Sequence, residues 1–136
     1  MDAQLKKYQG IFPAFYACYN EDGSVNVMNA AWGSMQARGH VVLKLTEAHK
    51  TVENIKARGA FTVSIADAAH MVEADYFGIE SGNDVPDKFE RAGFHALKSE
   101  FVNAPLIAEL PMALECKLLS YDEESHCMTG QIVNVC

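Results

Sequence analysis

The 136-residue sequence is poor in the features that mark several protein classes. Its four cysteines, Cys18, Cys116, Cys127 and Cys136, form no C-x-x-C pair and no zinc-type spacing, which argues against a disulfide scaffold or a zinc module. They read as reduced thiols of a cytoplasmic protein, serving as core filler. Basic residues are outnumbered 18 to 11, giving a formal charge of −7. A nucleic-acid binder draws its affinity from Lys and Arg on phosphates, so that class is excluded. No apolar run approaches the ~18–20 residues of a membrane helix. Residues 1–7 carry two lysines with no apolar stretch behind them, so they do not read as a signal peptide. The five histidines are scattered without H-E-x-x-H spacing, and G-x-S-x-G, Walker and Rossmann glycine patterns are missing. A metal hydrolase, a serine hydrolase and the common nucleotide folds are thereby disfavoured.

What is present is an ordinary globular composition, 49% hydrophobic and 21% charged, enough for one core without metals or staples. With no internal repeat and no Gly/Ser/Pro linker, 1–136 reads as one domain. Residues 12–19 predict a strand, and Asp22-Gly23 a type I′ hairpin turn into a return strand over Val25–Met28. His40–Leu45 reads as a third strand. Thr46–Arg58 reads as a helix with Thr46 as its cap, a stripe of Ala48, Val52, Ile55 and Ala57, and Gly59 as its stop. Ala60–Ile65 follows as a half-buried strand facing the core with Phe61, Val63 and Ile65. Asp67 caps a second helix with Ala68, Val72 and Ile79 inward, and Asp84–Asp87 opens a third that ends before Gly93. Strands return over Phe94–Lys98, Ala113–Leu119 and His126–Val135, with Tyr121–Ser125 as a polar turn. This mainly β, α+β order predicts an antiparallel, Greek-key-like barrel with a few short helices, since closure hides strand edges.

Two segments carry candidate chemistry. In Asn26-Val27-Met28-Asn29-Ala30-Ala31-Trp32 a strand gives way to small residues between two Asn and the only Trp. Small side chains let a flat ligand approach the backbone, with Asn for hydrogen bonds and Trp as a wall. From residue types alone the stronger reading is a strand end with Trp32 in the core. In Thr46–Thr51 a helix N-terminus offers N–H groups to a phosphate, joined by the Lys50 charge and the Thr51 hydroxyl. A solvated helix start is the plainer alternative. Together they point toward a flavin mononucleotide.

The stretch from Asp22 to Trp32 resembles the D-G-x-x-N-x-M-T-A-A-W segment of the flavin reductase-like, FMN-binding split-barrel family, which includes the flavoredoxins. Lys50-Thr51-Val52-Glu53-Asn54-Ile55, Asp87-Lys88-Phe89, Ala104-Pro105-Leu106-Ile107 and Leu114-Glu115-Cys116-Lys117 are similar to further family motifs, in the same order. The resemblance implies a split β-barrel that holds FMN without a covalent bond, in a homodimer with flavin near the interface. It places Asn26, Val27, Met28, Asn29, Ala30, Ala31 and Trp32 along the ring and ribityl chain, and Lys50 and Thr51 on the phosphate. Lys88 and His126 stand near the flavin, where a cation tunes the ring; a surface lysine and a turn histidine are the alternatives. No protein acid or base is required, because the flavin takes the hydride. Asn29 stands where Thr is common, and Gly130-Gln131 replaces Gly-Glu. Family members run on beyond the position of Cys136, so the resemblance also implies a missing C-terminal tail. The implied activity is electron transfer from NADH or NADPH to flavin or another acceptor. A flavoredoxin-like carrier serving a protein partner, and a barrel that has lost its flavin, compete with it. A reductase is expected to gather Arg38, His40 and Lys44 beside the flavin to receive an anionic dinucleotide.

Overall fold

The computed structural model describes residues 12–136; the reading of residues 1–7 lies outside it. The elements run β1 (Phe12–Tyr19), β2 (Val25–Gln36), β3 (His40–Lys44), α1 (Lys50–Arg58), β4 (Ala60–Ile65), α2 (Met71–Ile79), α3 (Lys88–Arg91), β5 (Ala96–Lys98), β6 (Pro105–Ile107), β7 (Ala113–Asp122) and β8 (Cys127–Val135). Six strands close an antiparallel barrel in the order β1-β2-β3-β8-β7-β4, and β5 and β6 pair as a separate ribbon. This is the mainly β barrel with few short helices that the sequence predicts. Among the described residues no helix is long and apolar enough to cross a membrane.

Strand alternation sends β1 residues to two cores. Ala14, Tyr16 and Cys18 point into the barrel with Met28, Val41, Leu43, Phe61, Val63, Leu114, Cys116 and Met128. Phe15 and Ala17 point outward, where Ala74 and Phe77 of α2, Phe89 of α3 and Phe94 cover them. The rings of Phe15, Phe77, Phe89 and Phe94 meet mostly edge to face, at centroid separations of 5.6–6.4 Å. Val52 and Ile55 of α1 plug one end of the barrel. A Cβ at Gly130 would lie 2.5 Å from the Phe61 ring, so β8 passes the barrel interior only because this residue has no side chain.

Several expectations are corrected. The hairpin at Asn20–Ser24 has positive φ only at Gly23, with Gly23 N–H bonded to Asn20 O (3.0 Å) and Asn20 N–H to Ser24 O (2.8 Å). It is a three-residue loop, a type I turn closed by a left-handed glycine, and not a type I′ turn. β2 does not stop at Met28 but runs to Gln36. Helix α1 begins at Lys50, because Thr46 closes a turn with His49 (His49 N–H to Thr46 O, 3.2 Å) instead of capping. Its buried face is Thr51, Val52, Asn54 and Ile55, while Ala48 and Ala57 face solvent. β4 is buried on both faces, since Thr62 bonds Pro105 O of β6 at 2.6 Å behind the barrel wall. Asp67 does accept from His70 N–H at the start of the α2 region. On α2, however, Ala74 and Phe77 are buried, while Ala68 before it and Val72 and Ile79 on it are exposed. The third helix begins only at Lys88 after a turn over Ser81–Val85, β5 begins at Ala96, and β7 continues to Asp122.

Candidate functional site

Two local decisions create the site. The first is a break in the pairing of β2. Strand β1 pairs with it at Val25–Ala30 and Gly33, while β3 pairs only with Gly33–Gln36. The edge of β2 over residues 25–32 therefore has no strand on its β3 side, which leaves backbone polar groups for another partner. Between Ala30 and Gly33 the register slips: Ala31 and Trp32 stand against Pro13 alone. Pro13 has no N–H to give to the ladder, so a bulge falls where it costs least. The bulge shifts the alternation by one residue. Gly33 takes the inward position against the Tyr16 hydroxyl, where a Cβ would lie 2.3 Å away, and Trp32 is turned out, 64% exposed.

The second decision is the start of α1. Its N-cap residue His49 makes no side-chain cap, so the first helical N–H groups, those of Lys50 and Thr51, face outward at the positive end of the helix. Burial pushes the His49 imidazole below its usual range, and nearby Lys88 adds to the effect. This helix start lies beside the open half of β2. Between them is a cleft of about 100 Å³ lined by Met28, His49, Lys50, Thr51, the end of α2 from Phe77 through Ile79, the loop Glu80–Gly82, and Lys88. Its size suits a phosphate or one end of a larger molecule, not a whole tricyclic nucleotide.

Polar groups converge on this cleft. Asn26 is 2% exposed and donates through Nδ2 to Thr51 Oγ1 at 2.8 Å. Thr51 is equally buried. Lys50 Nζ holds Glu53 at 2.8 Å and lines the cleft with its stem. Lys88 is not a surface lysine: it is 2% exposed, and its Nζ donates to Glu80 O at 2.8 Å and Phe77 O at 3.3 Å, the last carbonyls of α2. Burial drives its pKa down from 10.5 to about 8, with Cys18 and Glu80 opposing. The Cys18 thiol lies 3.7 Å from Asn26 Nδ2, and burial raises its pKa to about 11.

The expected residues are thus only partly brought together. Asn26, Met28, Lys50, Thr51 and Lys88 meet at the cleft. Asn29 ties β2 to α2 by donating to Ala74 O at 3.1 Å, and its buried Oδ1 has no partner. Ala30 packs on the barrel interior, while Ala31 and Trp32 form an exposed continuation of β2. Trp32 is therefore not core. Val27 is on the other face, in the aromatic core under α2, so its side chain is directed away from the cleft. His126 sits in the β7–β8 turn at the same barrel end, with φ 58° and a buried, unpartnered Nδ1. Its carbonyl accepts from Leu45 N–H at 2.9 Å, and it is two strands away from Met28 with β3 between. Sequence reasoning passed over His49 as a lining residue, and also Gly78 and Gly82. A Cβ on Gly82 would lie 2.3 Å from Asn26 Oδ1, a close approach between segments distant in sequence.

Comparison with known proteins agrees with this architecture. The family model described as flavin reductase like domain matches residues 18–135. The chain belongs to that family. The flavoredoxin of Desulfovibrio vulgaris (Miyazaki F) superposes with a TM-score of 0.87 at 35% identity, over 93% of this chain and 69% of that one. An FMN-binding domain of a flavin reductases-like enzyme from Shewanella baltica OS155 shares the fold, with a TM-score of 0.82 at 21% identity, over 90% of this chain and 67% of that one. An uncharacterized protein of Aeropyrum pernix is 29% identical over 103 residues, 74% of this chain. The chain spans 39% of the length of that relative.

Proposed function

We propose that this flavin reductase-like barrel binds FMN and transfers electrons through it. One observation carries the reading: an uncapped helix start, a buried threonine and two lysines share one cleft beside a stretch of β2 that lacks a strand on one side. The donor set fits a mononucleotide. Thr51, the Lys50 and Thr51 N–H groups and the Lys50 ammonium would hold the phosphate by charge-assisted bonds. The cleft takes that end alone, so the ring would lie along the open β2 edge, over Asn29–Trp32. Lys88 would supply positive charge to the ring or the ribityl chain, and His126 would approach from the neighbouring turn. Bound flavin supplies the redox chemistry, accepting and releasing hydride or single electrons. The chain's own residues bind it, orient it and set its electrostatics.

Two electron sources compete. In the first reading NADH or NADPH reduces the flavin and the protein is an oxidoreductase. In the second it is a carrier that exchanges electrons with a protein partner, and the distribution of charge favours this one. His40 and Lys44 stand at the two ends of β3, four strand steps or about 13 Å apart, and Arg38 lies in the turn before that strand. They do not line the cleft, whose neighbouring hairpin carries Glu21 and Asp22 instead. A homodimer, with exposed Trp32 and the Met71, Val72 and Ile79 face of α2 covered by a second copy, belongs to either version.

The deciding experiment is an absorption spectrum of protein reconstituted with FMN, taken anaerobically before and after NADH or NADPH. A yellow complex bleached by a nicotinamide establishes the oxidoreductase. One bleached only by dithionite establishes the carrier, and protein that takes up no FMN defeats both.

A further inference from the structure

We propose that the β1–β2 hairpin makes this protein selective for a mononucleotide: the carboxylates of Glu21 and Asp22 turn away a flavin that carries a second phosphate, as FAD does. The inference rests on the FMN reading above and concerns what lies past the phosphate. Strand β2 sets the direction. In that reading the ring lies over Asn29–Trp32, and the phosphate sits at the start of α1, where Thr51 meets Asn26 of β2 at 2.8 Å. Followed the other way, β2 leads back through Val25 to the hairpin loop Asn20–Ser24. Beside that loop is a second depression, of about 350 Å³, walled by Glu21, Asp22, Ser24 and Pro86. It shares Lys50 and Gly82 with the cleft. Whatever continues from a phosphate in the cleft, away from the ring, enters this depression.

Its volume falls within the usual range of small-molecule pockets, so shape alone does not reject an adenosine half. Charge does. Glu21 and Asp22 are exposed, and neither forms an ion pair among the described residues. The Asp22 carboxylate is held in place, since its Oδ1 accepts from Ser24 Oγ at 2.6 Å and from Ser24 N–H at 2.9 Å. These bonds keep it below the usual carboxylate range. Lys50 is the one cation on this wall, and it is already shared between Glu53, at 2.8 Å, and the FMN phosphate. Arg58 stands on the other side of the hairpin, where it donates to Asn20 O at 2.6 Å and Glu21 O at 3.0 Å and lines a different depression. A second phosphate would therefore meet two negative charges and no unshared cation, a repulsive element of the kind that sets specificity. FMN ends before it reaches them.

The test compares two flavins that share the ring, the ribityl chain and the first phosphate. Dissociation constants for FMN and FAD are measured by calorimetric titration, at low and at high salt, on wild type, Glu21→Gln, Asp22→Asn and the double variant. Wild type should bind FAD at least about tenfold more weakly than FMN, and added salt should narrow that ratio, because exposed charges are screened. The double variant should gain about tenfold for FAD and no more than about twofold for FMN, with each single variant in between. Asp22→Asn keeps an oxygen for Ser24 N–H; if a variant nonetheless fails to fold, the salt series on wild type carries the test. Equal affinity of wild type for the two flavins overturns the proposal. So does a gap that neither salt nor the double variant changes, which would mean exclusion by shape, and so does an equal gain for both flavins. Wild type that binds neither flavin overturns the FMN reading itself.

Discussion

Two buried polar clusters sit at different places in this barrel, and they differ in what they leave over. At the edge of the barrel wall, Glu115 of β7 is 2% exposed and accepts from Ser99 Oγ at 2.5 Å and from Asn134 of β8. Ser99 in turn accepts from Phe101 N–H and Val102 N–H, both at 3.0 Å. Each of these contacts ends on another group of the same cluster. It pins the loop before β6 to the β7–β8 pair. At the α1 end, Asn26, Thr51 and Lys88 are as buried, yet Thr51 and Lys88 line a cleft and the first N–H groups of α1 have no side-chain cap. Burial of polar groups alone therefore does not mark a site. Donors without acceptors, held rigidly at the wall of a cleft, do.

The contrast can be broken by pH. Lys88 has a pKa depressed to about 8 by burial, against 10.5 in the unfolded chain. Between those values the unfolded state binds more protons, so stability should rise as pH climbs from about 8 to 10.5, and be lost again as pH falls through 8. The full difference is on the order of 3 kcal/mol, and urea unfolding of wild type against Lys88→Met at pH 7 and pH 10 measures it. A wild-type pH dependence equal to that of Lys88→Met would show that this lysine is solvated.

A smaller effect sharpens the other half of the comparison. Ser99→Ala takes a donor from a buried carboxylate and an acceptor from two backbone N–H groups. It should cost about 2 kcal/mol in denaturant unfolding while leaving the FMN dissociation constant unchanged. Loss of FMN affinity together with stability would mean that the two clusters are coupled. The smallest change is expected at Trp32→Ala. At 64% exposure its removal should shift stability by no more than about 0.5 kcal/mol. The visible spectrum of bound FMN should nonetheless change, and an identical spectrum would place the ring elsewhere.

Much of this fold is legible in the sequence because strands announce themselves by local pattern. The aromatic run before Asn20, the Asp-Gly turn and the His40–Lys44 run all fall where the pattern puts them. Failures cluster where a residue's surroundings are set by distant chain. Thr62 and Ser64 look solvent-facing until β6 arrives behind them, and Val72 and Ile79 look inward until Ala74 and Phe77 take the inner face of α2. Residue types alone favour Trp32 as core over Trp32 as a wall for a flat ligand; the bulge opposite Pro13 turns it outward, 64% exposed. At the site, helix-start chemistry points to Lys50 and Thr51, and small residues point to the open half of β2. Gly82 and the Asn26–Thr51 hydrogen bond have no local signal, because residues distant in sequence make those contacts.

The sequence by itself determined that strands dominate, that they close on one another, and that a cation and a hydroxyl stand at the start of a helix. Those properties follow from side-chain periodicity and backbone capping, which act within a few residues. Tertiary structure alone decided that β3 would leave half of β2 unpaired, that Lys88 would be buried on the last carbonyls of α2, and that Asn26 would turn its amide toward Thr51. The two hydrogen bonds join residues eight and 25 positions apart, and the extent of β2–β3 pairing is set by where the rest of the barrel closes, so none of the three follows from local pattern.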